Sequence, residues 1–239
     1  MSRMRDLIKT AVGAFALMLV MRSLAFATYH VPSESMVPTL EVGDRFAALK
    51  FPFGYSRFSV VGGDYLPRFP GASGRIPAIL PKHGDVVVFR HPSDGDDMVK
   101  RVIGLPGDRV AIKAGRLWLN GAEVPLVRSG RWTYRDPSGY LVAVTAYQER
   151  LPGAQPHTIL LRDRRSLDGD MDEKVVPEGR LFMLGDNRDN SADSRFAEMG
   201  FVPLENLIGR ADAILYSLAS CSGEQGLRCP PRRLLERIE

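Results

Sequence analysis

Along the chain, apolar and polar positions follow two different rhythms, and the change comes near the thirtieth residue. Thr10 to Met21 runs without a charge through Val12, Phe15, Leu17, Met18, Leu19 and Val20, and beyond Arg22 the apolar character resumes at Leu24, Ala25, Phe26 and Ala27. About 20 such residues make a bilayer-spanning helix. Residues 10 to 28 therefore read as a transmembrane anchor in which Arg22 snorkels or finds a partner. Further on, Asp85-Val86-Val87-Val88-Phe89 and Met98 to Ile103 are β-branched runs separated by His91-Pro92-Ser93-Asp94-Gly95, the pattern of two hairpin strands. Arg109 to Lys113, Arg116 to Leu119 and Glu123 to Val127 continue it, with breaks at Ala114-Gly115 and Asn120-Gly121, the latter a strong signal for a two-residue hairpin turn. Leu181 to Leu184 and Arg210 to Leu218 supply two more strands, so an antiparallel meander is expected.

Composition supports this division. The 239 residues hold 23 glycines and 17 prolines, which favours turns over long helices, and 44% hydrophobic with 25% charged residues excludes a disordered, collagen-like or polytopic membrane chain. The fold class expected is mainly β: an antiparallel β core over residues 29–125 and 177–218, an inserted β subdomain over 126–176, one N-terminal transmembrane helix, and a tail from 219 to 239. Phe51 to Pro81 is rich in Gly, Pro and aromatics, which forbids a regular helix and leaves the aromatics either covering the core or facing a bilayer interface.

Charge sets the orientation. Residues 1–9 carry Arg3, Arg5 and Lys9 against Asp6, so the amino terminus is expected in the cytoplasm and the body outside, across the plasma (inner) membrane. A removed secretory signal ending at Ala25-Phe26-Ala27 satisfies the same template, and both readings export the body. Export permits Cys221 and Cys229 to bridge, although two free thiols fit equally well. The net charge of +4 spreads over 32 basic and 28 acidic residues, and no nucleic-acid partner is expected from it. The acidic stretch Asp168 to Asp172 lacks the spacing and terminal Glu of a calcium loop, and neither metal nor cofactor is expected.

Two prolines bracket Ser33-Glu34-Ser35-Met36-Val37, and in extended chain Ser33 and Ser35 point the same way. A nucleophilic serine needs a base, yet His30, His83, His91 and His157 all sit in turns or beside prolines and read as surface residues without an orienting carboxylate. Lys100 lies inside the apolar run Met98-Val99-Lys100-Arg101-Val102-Ile103. If its face is buried, desolvation lowers its pKa and makes it a base for serine; the ordinary alternative is a solvated lysine paired to Asp97. Gly185 to Arg195 contains no aliphatic side chain larger than alanine, so it is a hydrogen-bonded loop in which Asp193 and Arg195 can pair.

Together Ser35 to Leu40, Gly84 to Phe89, Lys100 to Asp108 and Gly185 to Arg195 resemble, in order, the sequence boxes of bacterial type I signal peptidases, the leader peptidases with a Ser-Lys dyad. The resemblance implies a membrane-anchored serine endopeptidase that cuts signal peptides from exported preproteins after an Ala-x-Ala type site. It implies Ser35 as nucleophile, Lys100 as general base, and Ser33 with the Ser35 amide as oxyanion donors. Ser191 matches the serine that orients the lysine amine, Asp193 and Arg195 the supporting pair, and Ser194 a structural member of the loop. Val31, Pro32, Met36, Leu40, Met98 and Val99 match the pocket for the residue before the cut, and Tyr29 and Val88 the pocket two residues further back. Glu34 departs from the glycine common at its place. Partners implied are signal-peptide-bearing preproteins and the lipid bilayer, with a monomeric enzyme.

Three other readings compete. A self-cleaving repressor needs a DNA-binding helix pair where this chain has an apolar segment. A conjugation-type processing peptidase keeps the dyad for one dedicated substrate. A non-catalytic membrane-anchored binding module has no use for Ser35, Lys100 and Ser191 together.

Overall fold

A computed structural model describes residues 2–71, 73–136, 138–162, 170–218 and 233–238, so Cys221, Cys229 and Asp168 lie outside the described residues. The chain begins with helix α1 (Ser2–Leu24), whose residues Arg3–Leu24 are apolar enough to cross a membrane and which meets the body at its C-terminal end, through Ser23 and Leu24. At about 1.5 Å per residue their length is about 33 Å, the thickness of a bilayer core.

The rest is antiparallel β structure: β1 (Phe26–His30), β2 (Asp44–Leu49), β3 (Val86–Arg90), β4 (Asp97–Gly104), β5 (Arg109–Lys113), β6 (Arg116–Leu119), β7 (Ala122–Glu123), β8 (Leu126–Arg135), β9 (Leu141–Glu149), β10 (His157–Leu161), β11 (Met171–Val175), β12 (Arg180–Leu184), β13 (Val202–Pro203), β14 (Leu207–Ser217) and β15 (Leu234–Arg237). β3 and β4 form the expected hairpin, with Val88 opposite Val99 and Val87 opposite Lys100. Asn120 and Gly121 both have positive φ, 54° and 82°, the conformation a tight hairpin turn needs and one that Asn and Gly tolerate.

The main sheet is not a meander. Its order is β1-β2-β14-β3-β4-β12-β13, with β15 on β14. The late strand β14 thus enters between β2 and β3, because alternation marks a segment as a strand without naming its neighbour. Flanked on both sides, β3 is buried on both faces: Val86 and Val88 feed one core with Phe46, Leu40 and Ile214, while Val87 and Phe89 feed another with Met183, Val202 and Leu207.

Two smaller sheets complete the body, β10-β9-β8 and β11-β5-β6-β7. Of the stretch 126–176, β8 to β10 make a sheet of their own, whereas β11 pairs with β5. That assignment differs from the expected boundary, since the polar sequence of β11 hides its partner. The three-stranded sheet packs Tyr134, Val144, Ala146 and Leu160 around Val37, just past the candidate nucleophile.

Between β2 and β3 the described backbone makes single 3-10 turns at Phe51–Phe53, Arg57–Ser59 and Gly63–Tyr65. The buried Arg75 guanidinium fastens this stretch, donating to the carbonyls of Phe53 at 3.0 Å, Gly54 at 2.5 Å and Leu204 at 3.3 Å. Its aromatics divide: Phe53 is buried, Phe51 and Tyr65 are exposed.

Candidate active site

Ser35 sits in one 3-10 turn, Glu34–Met36, and not in an extended strip as its flanking prolines suggest. The turn closes through Val37 N–H to Glu34 O at 3.1 Å and Leu40 N–H to Met36 O at 2.9 Å, and it is nailed down by the fully buried Met36, Val37 and Leu40. The two hydroxyls still converge, with Ser33 Oγ 3.4 Å from Ser35 Oγ. The first amides of such a turn have no acceptor within it, which leaves the Ser35 N–H for an outside oxygen.

Lys100 reaches this hydroxyl from β4. Its Nζ lies 2.8 Å from Ser35 Oγ, and the residue is only 1% exposed. Burial drives its pKa down to about 8, with the charges of Asp193 and Asp186 opposing and that of Arg195 assisting. Asp97, the alternative partner, is engaged elsewhere: its carboxylate takes Arg90 Nε at 3.0 Å and faces the Tyr29 hydroxyl.

Gly185 to Arg195 forms the third wall. Asp193 is fully buried, accepts from Gly185 N–H at 3.1 Å, and is clasped by Arg195 through Nε at 2.8 Å and Nη2 at 3.0 Å. Ser194 ties the loop to β12, its hydroxyl accepting from Met183 N–H at 3.0 Å. Ser191 is buried beside Ser35, but its hydroxyl makes no hydrogen bond, to Lys100 or to any other described group. The closeness depends on Gly185: a Cβ there would stand 2.5 Å from Ser35 O and 2.6 Å from Ser191 Cβ. Asn187 N–H donates to the same Ser35 carbonyl at 3.1 Å.

A buried ion pair that the sequence left without a role lies behind Ser35 and Lys100. Arg101, beside Lys100, donates to Asp186 through Nε and Nη2, both at 2.8 Å, and to Gly84 O at 2.7 Å. Thr39 also donates to Asp186, so one carboxylate joins the segments that carry Ser35, Lys100 and Ser191. Burial raises the Asp186 carboxyl, and the Arg101 charge and bonds more than reverse this, leaving it below its ordinary value. A charged residue among apolar neighbours in a strand was the available signal.

Among the residues expected to line a pocket, Val31, Met36, Leu40 and Val88 form one apolar cluster with Tyr29 and Val99 packed on it. Tyr29 stacks on Phe46 with ring centres 5.6 Å apart. Met98 points to the opposite face of β4 and packs with Val87 and Phe89, and Pro32 is exposed. Met98 leaves this cluster because side chains alternate along β4, whereas Pro32 lies between β1 and the Ser35 turn, outside any strand.

Three of the four histidines depart from expectation, while His30 is exposed as expected. His83 Nε2 lies 2.7 Å from Asp108, His91 is buried against Asp94, and His157 is buried 3.1 Å from Glu149. Asp108 lies 25 residues from His83, and Glu149 sits opposite His157 on the paired strand β9. None of the histidines bonds Ser35 or Lys100.

Comparison with known proteins gives a consistent result. The family described as signal peptidase, peptidase S26, matches residues 4–216. Curated relatives include signal peptidase I of Rickettsia akari, 36% identical over 83% of this chain and 74% of its own. That of Rickettsia typhi is 37% identical over 83% and 75%, and that of Rickettsia bellii 34% over 87% and 72%. A crystal structure of a signal peptidase I from Enterococcus faecalis is 29% identical over 55% of this chain and 97% of its own, with a TM-score of 0.33, too low to bear on the fold. On the family match and the curated relatives, the chain belongs to the signal peptidases of the S26 family and is a serine peptidase, a hydrolase.

Proposed function

We propose that this enzyme removes N-terminal signal peptides from exported preproteins with Ser35 as nucleophile and Lys100 as general base. The neutral amine of Lys100 takes the proton of Ser35 Oγ as that oxygen attacks the scissile carbonyl carbon. The Ser35 N–H and the Ser33 hydroxyl receive the oxyanion. Collapse breaks the C–N bond, and the lysine ammonium returns its proton to the leaving amine. Water then attacks the acyl-serine, with the same amine as base. The observation that carries the reading is an amine shut off from water 2.8 Å from a serine hydroxyl.

Two strand edges are open beside the dyad. Among the described residues β1 pairs only with β2, and the Asp97 to Lys100 half of β4 only with β3. An extended peptide can add to such edges, with alternate side chains turned into the apolar cluster of Val31, Met36, Leu40, Val88, Val99 and Tyr29. The shallow, filled character of that cluster favours alanine-sized residues at the first and third positions before the cut.

Anchoring belongs to the same proposal. Tyr55 OH donates to Leu24 O at 2.7 Å and Val61 N–H to Ser23 Oγ at 3.3 Å, so the Phe51 to Leu66 stretch gathers at the end of α1. Phe26, Phe51, Val61 and Tyr65 are exposed there; they suit a bilayer interface with the amino terminus cytoplasmic and the dyad on the outer face.

The test is cleavage of a preprotein with an Ala-x-Ala site by the full chain in detergent. Ser35→Ala and Lys100→Ala should each abolish processing while the protein stays folded, and near wild-type turnover by either rejects the dyad. A panel of leader peptides separates a general enzyme from a conjugation-type one, which would cut a single member. Intact mass from the membrane fraction decides the anchor: loss of residues 1–27 would mean a removed signal.

A further inference from the structure

The sheet β8-β9-β10 carries none of the residues assigned above, yet it touches the catalytic loop through a fully buried charged cluster. Glu149, the last residue of β9, receives Arg188 Nη1 on Oε1 at 2.7 Å and Arg188 Nη2 on Oε2, and His157 Nε2 lies 3.1 Å from Oε2. All three side chains are at least nine-tenths buried. Burial raises the Glu149 carboxyl, but the Arg188 charge and the bonds from His157 and Arg188 bring it down to about 2, so it is ionised at any working pH.

Arg188 is the link to the chemistry. Its Nε donates to Gly185 O at 3.1 Å, and its own carbonyl accepts from Arg195 Nη2, the guanidinium that clasps Asp193. The Gly185 residue is thereby held at both ends, its carbonyl by Arg188 and its N–H by Asp193 Oδ2 at 3.1 Å. Little slack exists there, because even a Cβ on Gly185 would overlap Ser35 O and the Ser191 side chain. The same sheet donates Leu160 N–H to Asp186 O at 2.9 Å and packs Val37.

We propose that Glu149 is a positioning residue for the dyad, acting through Arg188 to fix Gly185 against Ser35, and that the three-stranded sheet serves as the clamp holding nucleophile turn and catalytic loop in register. The proposal rests on the Ser35 and Lys100 reading. Without the carboxylate, a buried guanidinium loses its compensating charge and leaves its place. Gly185 then shifts, and the Ser35 hydroxyl shifts with it. A displacement of about 1 Å at reacting atoms lowers a rate by about 100-fold.

The experiment compares kcat, KM and melting temperature of the full chain for Glu149→Gln and for the double variant Glu149→Met with Arg188→Met. The double variant replaces the buried pair by apolar side chains of similar volume, a change that commonly preserves stability. It is expected to melt near the wild type while kcat falls by about 100-fold and KM stays within about threefold, because the substrate groove is untouched. The kinetic pKa should also rise toward that of an ordinary lysine as water reaches Lys100. Wild-type kcat in the folded double variant overturns the proposal, as does a loss in Glu149→Gln that merely tracks its folded fraction. Full activity of Ser35→Ala in the same assay would instead overturn the dyad reading, whatever the Glu149 variants do.

Discussion

Lys100 offers the sharpest quantitative test, because its burial fixes both a rate profile and a stability profile. The perturbation is pH. With a pKa of about 8 the free amine makes up about 9% of the folded enzyme at pH 7, whereas an ordinary lysine near 10.4 would supply about 0.04%. The active base is the neutral form, so kcat/KM should climb about 50-fold between pH 6 and pH 8 and level off above pH 9. Stability follows with the opposite cause. The folded state binds the lysine proton less tightly than the unfolded chain, so unfolding takes up a proton between about pH 8 and 10.4 and stability rises with pH through that window. Below it, the buried ammonium costs the fold about 3 kcal/mol, at about 1.36 kcal/mol per pKa unit. The assay is peptide cleavage at low substrate from pH 5.5 to 10, paired with melting curves of wild type and Lys100→Met. The variant should gain most over wild type near pH 7 and lose the advantage by about pH 10. A flat kinetic profile across pH 7–9, or an apparent pKa near 10.4, would refute the reasoning.

Other substitutions probe the walls of the site. Ser33→Ala removes one proposed oxyanion donor and should lower kcat by about 100- to 1000-fold with KM nearly unchanged, read by steady-state kinetics. Gly185→Ala has nowhere to put its methyl group; displacement of Ser35 and Ser191 should cost about 1–3 kcal/mol in denaturant melts and most of the activity. Asp186→Ala strands the buried Arg101 charge and should destabilise the fold by about 3–5 kcal/mol. In the wild type the depressed Asp186 pKa means that its stabilisation is full above about pH 4 and is lost as pH falls through its folded value, which acid unfolding of wild type against Arg101→Met would show.

The sequence alone determined a good deal, for a physical reason that is local. Chain charge and apolar length marked an N-terminal apolar segment, expected over residues 10 to 28 where the helix is Ser2–Leu24 and residues 26–28 belong to β1; β-branched alternation marked β3 and β4, and Asn120-Gly121 marked a turn because few other residues accept positive φ. It also supplied Ser35, Lys100 and the polar loop from Gly185 to Arg195 as candidates for the chemistry. The tertiary structure decided what each one touches. Strand order placed β14 beside β3, and packing curled the Ser35 turn that flanking prolines suggested was extended. Folding joined Arg101 to Asp186, and Glu149 to Arg188, pairs separated by 85 and 39 residues. Local propensity acts over a few neighbours, whereas desolvation of an amine, compensation of a buried charge and contact between a glycine and a serine carbonyl arise only when distant segments meet. A lysine in an apolar strand can be a solvated edge residue or a buried base, and only the walls around it make the difference.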